Sequence, residues 1–225
     1  MKRSLPATCL ILLITLVFYS MKSDTMIKYV ALGDSYTICE GATTEQAWPT
    51  ILTKHLNDNG FNVELSANPS RTGWTTQNLI DRELSVCEEK KPDFVSLLIG
   101  VNDWVQGVNI ATFHTNLNYI IDKVEALLPD KKHLVLITIP DFGVTPTGAM
   151  YSGGRDISQG ITDFNNIIKD EAKKRGLQCV DIFPETQKMK DNDALIAHDG
   201  LHPSAKEYAI WETLIYPVVS GFLKK

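Results

Sequence analysis

Short apolar runs alternate along the chain with longer segments in which apolar positions recur every three or four residues. The short runs cover residues 28–32, 62–66, 94–99, 134–139 and 179–182. Several are almost continuously apolar, as strands buried on both faces of a parallel sheet would be. The longer segments, 44–59, 76–90, 110–128, 157–175 and 204–223, have the helical period. Asn59-Gly60 and Arg175-Gly176 read as helix stops, and Pro92 and Pro129 follow two others. Five strand-then-helix units predict right-handed crossovers, hence an α/β fold with a doubly wound sheet and helices on both faces. In such sheets ligands bind beyond the carboxyl ends of the strands.

Three polar clusters fall at those ends. Gly33-Asp34-Ser35 closes the first apolar run, Gly73 in SRTGWTT lies between the second run and its helix, and Gly100-Val101-Asn102-Asp103 follows the third. A fourth cluster, HDGLHPS at 198–204, precedes the last helix. On its own, Gly-Asp-Ser is a turn composition. Together the four clusters supply the parts of acyl transfer: a hydroxyl, an imidazole to take its proton, and a carboxylate to orient the imidazole. Ser35 is the candidate nucleophile, His202 the base and Asp199 its orienting acid. The backbone N–H groups of Ser35 and Gly73, with the Asn102 amide, are the candidate oxyanion donors. Asp103 reads as a helix cap. Asp34 is expected to hydrogen-bond the backbone of its own loop and, with Tyr36, Trp74 and Trp104, to border the substrate. Trp48 and Trp211 read as core, and His55, His114 and His133 as structural or solvated. His198 and His202 have the spacing of a helical metal pair, but Gly200 and Pro203 argue against a helix there, so no metal is expected.

GDSY, SRTGWTT, GVND and DGLH occur in this order over residues 30–204, and in this the chain resembles the SGNH hydrolases, or GDSL esterase/lipase family. The resemblance implies a flavodoxin-like three-layer α/β/α sandwich with a central, mostly parallel five-stranded sheet. Ser35, Gly73, Asn102 and His202 correspond to the four residues that name the family, and Asp199 to its triad acid. The chain departs from the family name in placing Tyr36 where leucine is usual, which changes the pocket rather than the chemistry. The function implied is metal- and cofactor-independent hydrolysis of a small-molecule carboxylic ester through an acyl-enzyme. Lysophospholipase, lipase-like and general esterase activities come first, with carbohydrate O-deacetylase and acyl thioesterase as alternatives. The segment 141–154 is expected to be a lid, a binding loop or a plain surface excursion.

Composition narrows the remaining classes. The 225 residues, 44% hydrophobic and 22% charged, fit one domain. A formal net charge of −5 without a basic cluster in the body speaks against nucleic acid. Asp34 and Glu40 after the first strand would repel the phosphate of a nucleotide or flavin. No Gly-x-Ser-x-Gly elbow is present. A catalytically silent ester- or glycan-binding protein on the same scaffold is the remaining alternative. Met1-Lys2-Arg3 followed by the uncharged apolar stretch 9–19 has the anatomy of a secretory leader. Residues 1–25 are therefore expected to be a signal peptide or N-terminal anchor, with membrane contact through 9–19 if uncleaved, and 26–225 the catalytic domain. Export to the periplasm or medium follows, or a cytoplasmic location if translation starts at Met21 or Met26. Cys39, Cys87 and Cys179 form neither a disulfide framework nor a zinc pattern and read as small buried residues.

Overall fold

The computed structural model describes residues 25–224. The expected leader, and with it the membrane contact, lies outside the described residues. Five strands, β1 (Ile27–Gly33), β2 (Val63–Ala67), β3 (Phe94–Leu98), β4 (Leu134–Ile137) and β5 (Gln178–Val180), form one sheet in the order 2-1-3-4-5. Every pairing is parallel. All five residues of β3 and all four of β4 are buried, which explains their apolar runs; Ser96, the polar residue within β3, is hydrogen-bonded to the Tyr29 hydroxyl at 2.7 Å. The helices are α1 (Ser35–Ile38), α2 (Trp48–Asp58), α3 (Thr76–Lys90), α4 (Val101–Val105), α5 (Ile110–Leu127), α6 (Ile157–Arg175), α7 (Phe183–Thr186) and α8 (Ala205–Leu223). One outer layer pairs α2 with α8; the other packs α3 on α5 and α5 on α6. This is the expected three-layer sandwich. Among the described residues no helix is long and apolar enough to cross a membrane.

Local chemistry sets most boundaries. Thr75 opens α3 and Asp156 opens α6 by accepting N–H bonds from Asn78 and Gln159, while Gly176 closes α6 in a left-handed conformation. Three expectations need correction. The segment 44–59 is not one helix: Ala47 is extended, and α2 begins afresh at Trp48 because Pro49, lacking an N–H, fits only the first turn. The fourth strand ends at Ile137 instead of 139, since the Ile139 N–H is taken by the Asn165 side chain at 2.7 Å and Pro140 has none to give. The fifth covers 178–180, not 179–182, because the Ile182 N–H bonds the Thr138 hydroxyl rather than a ladder. Segment 141–154 contains two 3-10 turns, Phe142–Val144 and Gly148–Tyr151. Cys39 and Cys87 are buried and Cys179 half-buried, all as free thiols. Trp48 and Trp211 are core residues.

The order 2-1-3-4-5 reverses direction at β1. A crevice therefore opens between the carboxyl ends of β1 and β3, where connections leave toward opposite layers. Gly33-Asp34-Ser35 and Gly100-Val101-Asn102 are the two segments that follow these ends.

Candidate active site

Strand β1 cannot continue past Gly33. A Cβ on Gly33 would lie 2.2 Å from both the Leu98 carbonyl and the Thr37 hydroxyl, so only glycine lets the chain turn against β3. Asp34 then caps α1 by accepting the Tyr36 N–H at 3.0 Å, and Ser35 becomes the first residue of that helix. The turn is also held from below. Glu83, a fully buried residue of α3 that sequence reasoning missed, accepts the Gly33 N–H at 3.0 Å.

The counterpart at the end of β3 is α4. Its Asn102 amide donates to the Trp74 carbonyl at 2.9 Å, and Gln106 donates to the Gly73 carbonyl at 3.1 Å. Helix α4 thereby fixes the Arg71–Trp74 turn beside Ser35. Asp103 is structural, as expected, though not as a cap of its own helix. It accepts the Thr76 N–H at 2.8 Å and the Thr76 hydroxyl, anchoring the start of α3.

His202 sits on a turn rather than a helix, within the loop closed by an Ile196–Pro203 bridge just before α8. The Asp199 carboxylate is its organiser. One oxygen accepts the Leu201 and His202 N–H groups, both at 2.9 Å; the other meets His202 Nδ1 at 2.6 Å. Partial burial works against the charged form of Asp199, but these bonds outweigh it and hold the carboxyl below its ordinary range. Segment 141–154 buttresses the same turn, because Thr147 gives the Gly200 carbonyl both its N–H, at 3.0 Å, and its hydroxyl, at 2.9 Å.

Ser35, Gly73, Asn102 and His202 line one cleft of about 180 Å³. Tyr36, Thr72, Val101, Val105, Phe142, Tyr151 and Leu201 complete it, so its walls are mostly apolar. The Tyr36 ring meets the His202 imidazole edge-on at 5.7 Å. Among the described residues the Ser35 and Gly73 N–H groups have no protein acceptor, leaving both available to a ligand. Three residues expected at the substrate are elsewhere. Asp34 is fully buried behind the turn. Trp104 is buried against Phe142 and Gly160, whose Cα leaves no room for a Cβ beside the indole. Trp74 lines a separate groove with Arg71 and Arg82. Of the expected substrate-bordering residues, Tyr36 lines the cleft.

Burial raises the carboxyls of the acids behind the Gly33-Asp34-Ser35 turn. Burial, reinforced by the Asp103 charge and opposed by the Tyr36 N–H, pushes Asp34 up to about 8. Burial likewise keeps Glu83 well above the carboxylate range. On α8, burial raises the Glu207 carboxyl to about 7 despite the Trp211 indole N–H it accepts. In the unfolded chain these groups ionise near 3.8 and 4.5. The folded chain therefore binds more protons between those values and 7 to 8, and stability declines as pH rises through that window. Calorimetry should record a Tm that falls from about pH 5 to about pH 8.5, with a shallower fall in Glu207→Gln. A Tm that climbs over the same interval would contradict the assignment.

A parallel sheet with a Gly-Asp-Ser turn at its switch point, and an Asp-bonded histidine lining the same cleft, defines a class: esterase-type hydrolases of the Gly-Asp-Ser kind. Residues 31–210 match the model of the GDSL-like Lipase/Acylhydrolase family, and the chain belongs to that family. It is 29% identical over 197 residues to an arylesterase of Vibrio mimicus, covering 86% of this chain and 90% of that one. It is 26% identical over 192 residues to the thioesterase 1/protease 1/lysophospholipase L1 of Escherichia coli K12, covering 85% and 81%. Among solved structures, the psychrotrophic esterase EstA from Pseudoalteromonas sp. superposes with a TM-score of 0.67 at 20% identity, covering 88% of this chain and all of that one. The protein is accordingly a serine hydrolase of carboxylic esters, acting on small-molecule ester substrates.

Proposed function

We propose that Ser35 is the nucleophile, His202 the general base and acid, and Asp199 the carboxylate that orients and charge-balances the imidazole. The observation that carries this reading is the 2.6 Å bond between His202 Nδ1 and Asp199 Oδ2 at the rim of a cleft that also holds Ser35. With Nδ1 committed to Asp199, Nε2 is the nitrogen left to take the Ser35 proton. Ser35 Oγ adds to the ester carbonyl as its proton passes to Nε2. The tetrahedral oxyanion is received by the N–H groups of Ser35 and Gly73 and by the Asn102 amide. Collapse expels the alcohol, which takes the proton back from Nε2 and leaves an acyl-serine. Water then repeats the sequence, with His202 as base, and releases the acid.

The Asn102 amide is part of this scheme because the Trp74 carbonyl, at 2.9 Å, orients it in the cleft beside Ser35 and Gly73, while its contact with Asp34 Oδ2 is long, at 3.5 Å, and yields to a stronger acceptor. Asn102→Ala should lower kcat about 10²–10³-fold with a much smaller change in KM. Steady-state kinetics on a p-nitrophenyl ester checks this, and an unchanged kcat would remove Asn102 from the oxyanion site.

For the substrate, cleft size supports a compact acyl or aryl group. About 180 Å³ is less than the roughly 300–1,000 Å³ of pockets that enclose drug-sized ligands. The Vibrio arylesterase supports the same reading. A second reading, a lipid-like ester, is favoured by the 148–151 turn, where the cleft-lining Tyr151 is 44% exposed and its chain neighbour Met150 81% exposed. A p-nitrophenyl series from acetyl to dodecanoyl, run beside lysophosphatidylcholine and an acetylated sugar, separates the two. The compact reading expects kcat/KM to peak at short acyl chains. A monotonic rise to the longest chain, with turnover of lysophosphatidylcholine, would replace it with the lipid reading.

A further inference from the structure

The Arg71–Trp74 turn has two sides. Thr72 and Gly73 face the catalytic cleft, while Arg71 and Trp74 face a second groove of about 440 Å³ that they share with Pro69, Arg82 and Val86. Building on the ester-hydrolase reading, we infer that this groove binds an anionic group, a carboxylate or phosphate, carried by the part of the ester that lies outside the apolar cleft.

Charge and chemistry both point there. Arg71 and Arg82 are exposed cations on a chain of net charge −5, and among the described residues neither forms an ion pair or gives its guanidinium N–H groups to an acceptor. By contrast Arg175 bridges Asp122, Glu125 and Glu171, and Arg155 donates to the carbonyls of Trp104 and Val105. The Arg71 guanidinium lies 5.8 Å from the Trp74 ring centroid, a cation–π arrangement that orders the fork without consuming its donors. A guanidinium fork matches the oxygen pairs of carboxylate and phosphate. The nearby acid Glu40 is engaged on the cleft side by the Thr72 hydroxyl at 2.6 Å, so the attractive field lies on the outer side of the turn. The turn itself is braced, its Trp74 N–H returning to the Arg71 carbonyl at 3.2 Å and its Trp74 carbonyl held by Asn102. The groove is thus fixed in register with the oxyanion donors.

The test compares two esters of one acyl chain, 4-nitrophenyl butyrate and 3-carboxy-4-nitrophenyl butyrate, each corrected for its spontaneous hydrolysis. In the wild type, the carboxylated ester should have a kcat/KM about three- to tenfold higher, mainly through KM, at low salt. High salt should shrink that ratio. The double variant R71Q/R82Q should bring it close to one, and R71K/R82K, which keeps the charge, should retain part of it. A ratio near one in the wild type, or an unchanged ratio in R71Q/R82Q, would overturn the inference. Millimolar inorganic phosphate separates an ester-borne anion from a free one. Competition against the carboxylated ester alone is expected, whereas equal activation or inhibition of both esters would assign the groove to a free anion and overturn the inference. Turnover of the neutral ester and labelling of the serine report the acyl chemistry independently of the ratio, so a missing preference with both intact falls on the groove alone.

Discussion

Ser35→Ala should abolish esterase turnover, lowering kcat at least about 10⁴-fold while leaving Tm within about 2 °C of wild type. The size of the effect follows from what the hydroxyl does: without it no acyl-enzyme forms, and only the oxyanion donors and binding remain, which sustain a small residue of catalysis over water. Stability is spared because the turn is held by other groups. Asp34 caps α1 through the Tyr36 N–H, Glu83 holds the Gly33 N–H, and the Thr37 hydroxyl reaches the Leu98 carbonyl at 3.4 Å. Steady-state kinetics with a calorimetric scan of the same preparation checks both halves. A folded Ser35→Ala protein with wild-type turnover would end the assignment.

Asp199→Asn should cost about 10⁴-fold in kcat at neutral pH, with the fold again intact. Asparagine keeps a carbonyl oxygen, so the Leu201 and His202 N–H groups still have their acceptor and the turn persists. What changes is the group facing His202 Nδ1. An amide NH₂ there asks Nδ1 to accept, which places the ring proton on Nε2, where it blocks proton uptake from Ser35. The pair separates position from charge: Asp199→Ala removes all three bonds and should lower Tm as well. Activity near wild type in Asp199→Asn would show that the 2.6 Å bond is structural.

The parts of this site that could be read in the sequence are those carried by chain-local signals. Gly33-Asp34-Ser35 follows an apolar run, and its meaning as more than a turn came from the Asn102 and Asp199/His202 blocks elsewhere in the chain. Asp199 and His202 were legible because both belong to one turn, and three residues suffice to bring carboxylate and ring together. Glu83 was not legible. It stands among Asp81, Arg82, Glu88 and Glu89 on a helix rich in charges, and only packing of α3 beneath β1 turns its carboxyl inward. The tryptophans misled for a related reason. Trp104 is two residues from Asn102, but on a helix that separation turns side chains well apart, so Asn102 faces the cleft and Trp104 faces Gly160 and Phe142. Trp74 neighbours Gly73 yet points to the far side of its turn. The sheet order was not readable from the strand pattern alone, although the crossover rules narrowed it, and the ends of β4 and β5 depend on the side chains of Asn165 and Thr138.

The nucleophile is identified most directly by inactivating the protein with a fluorophosphonate and locating the adduct by peptide mass spectrometry. One phosphonylated peptide, modified at Ser35, should form in step with the loss of esterase activity and be absent from Ser35→Ala. An adduct on another residue, or continued ester turnover by a protein that takes up no label, would contradict the assignment of Ser35.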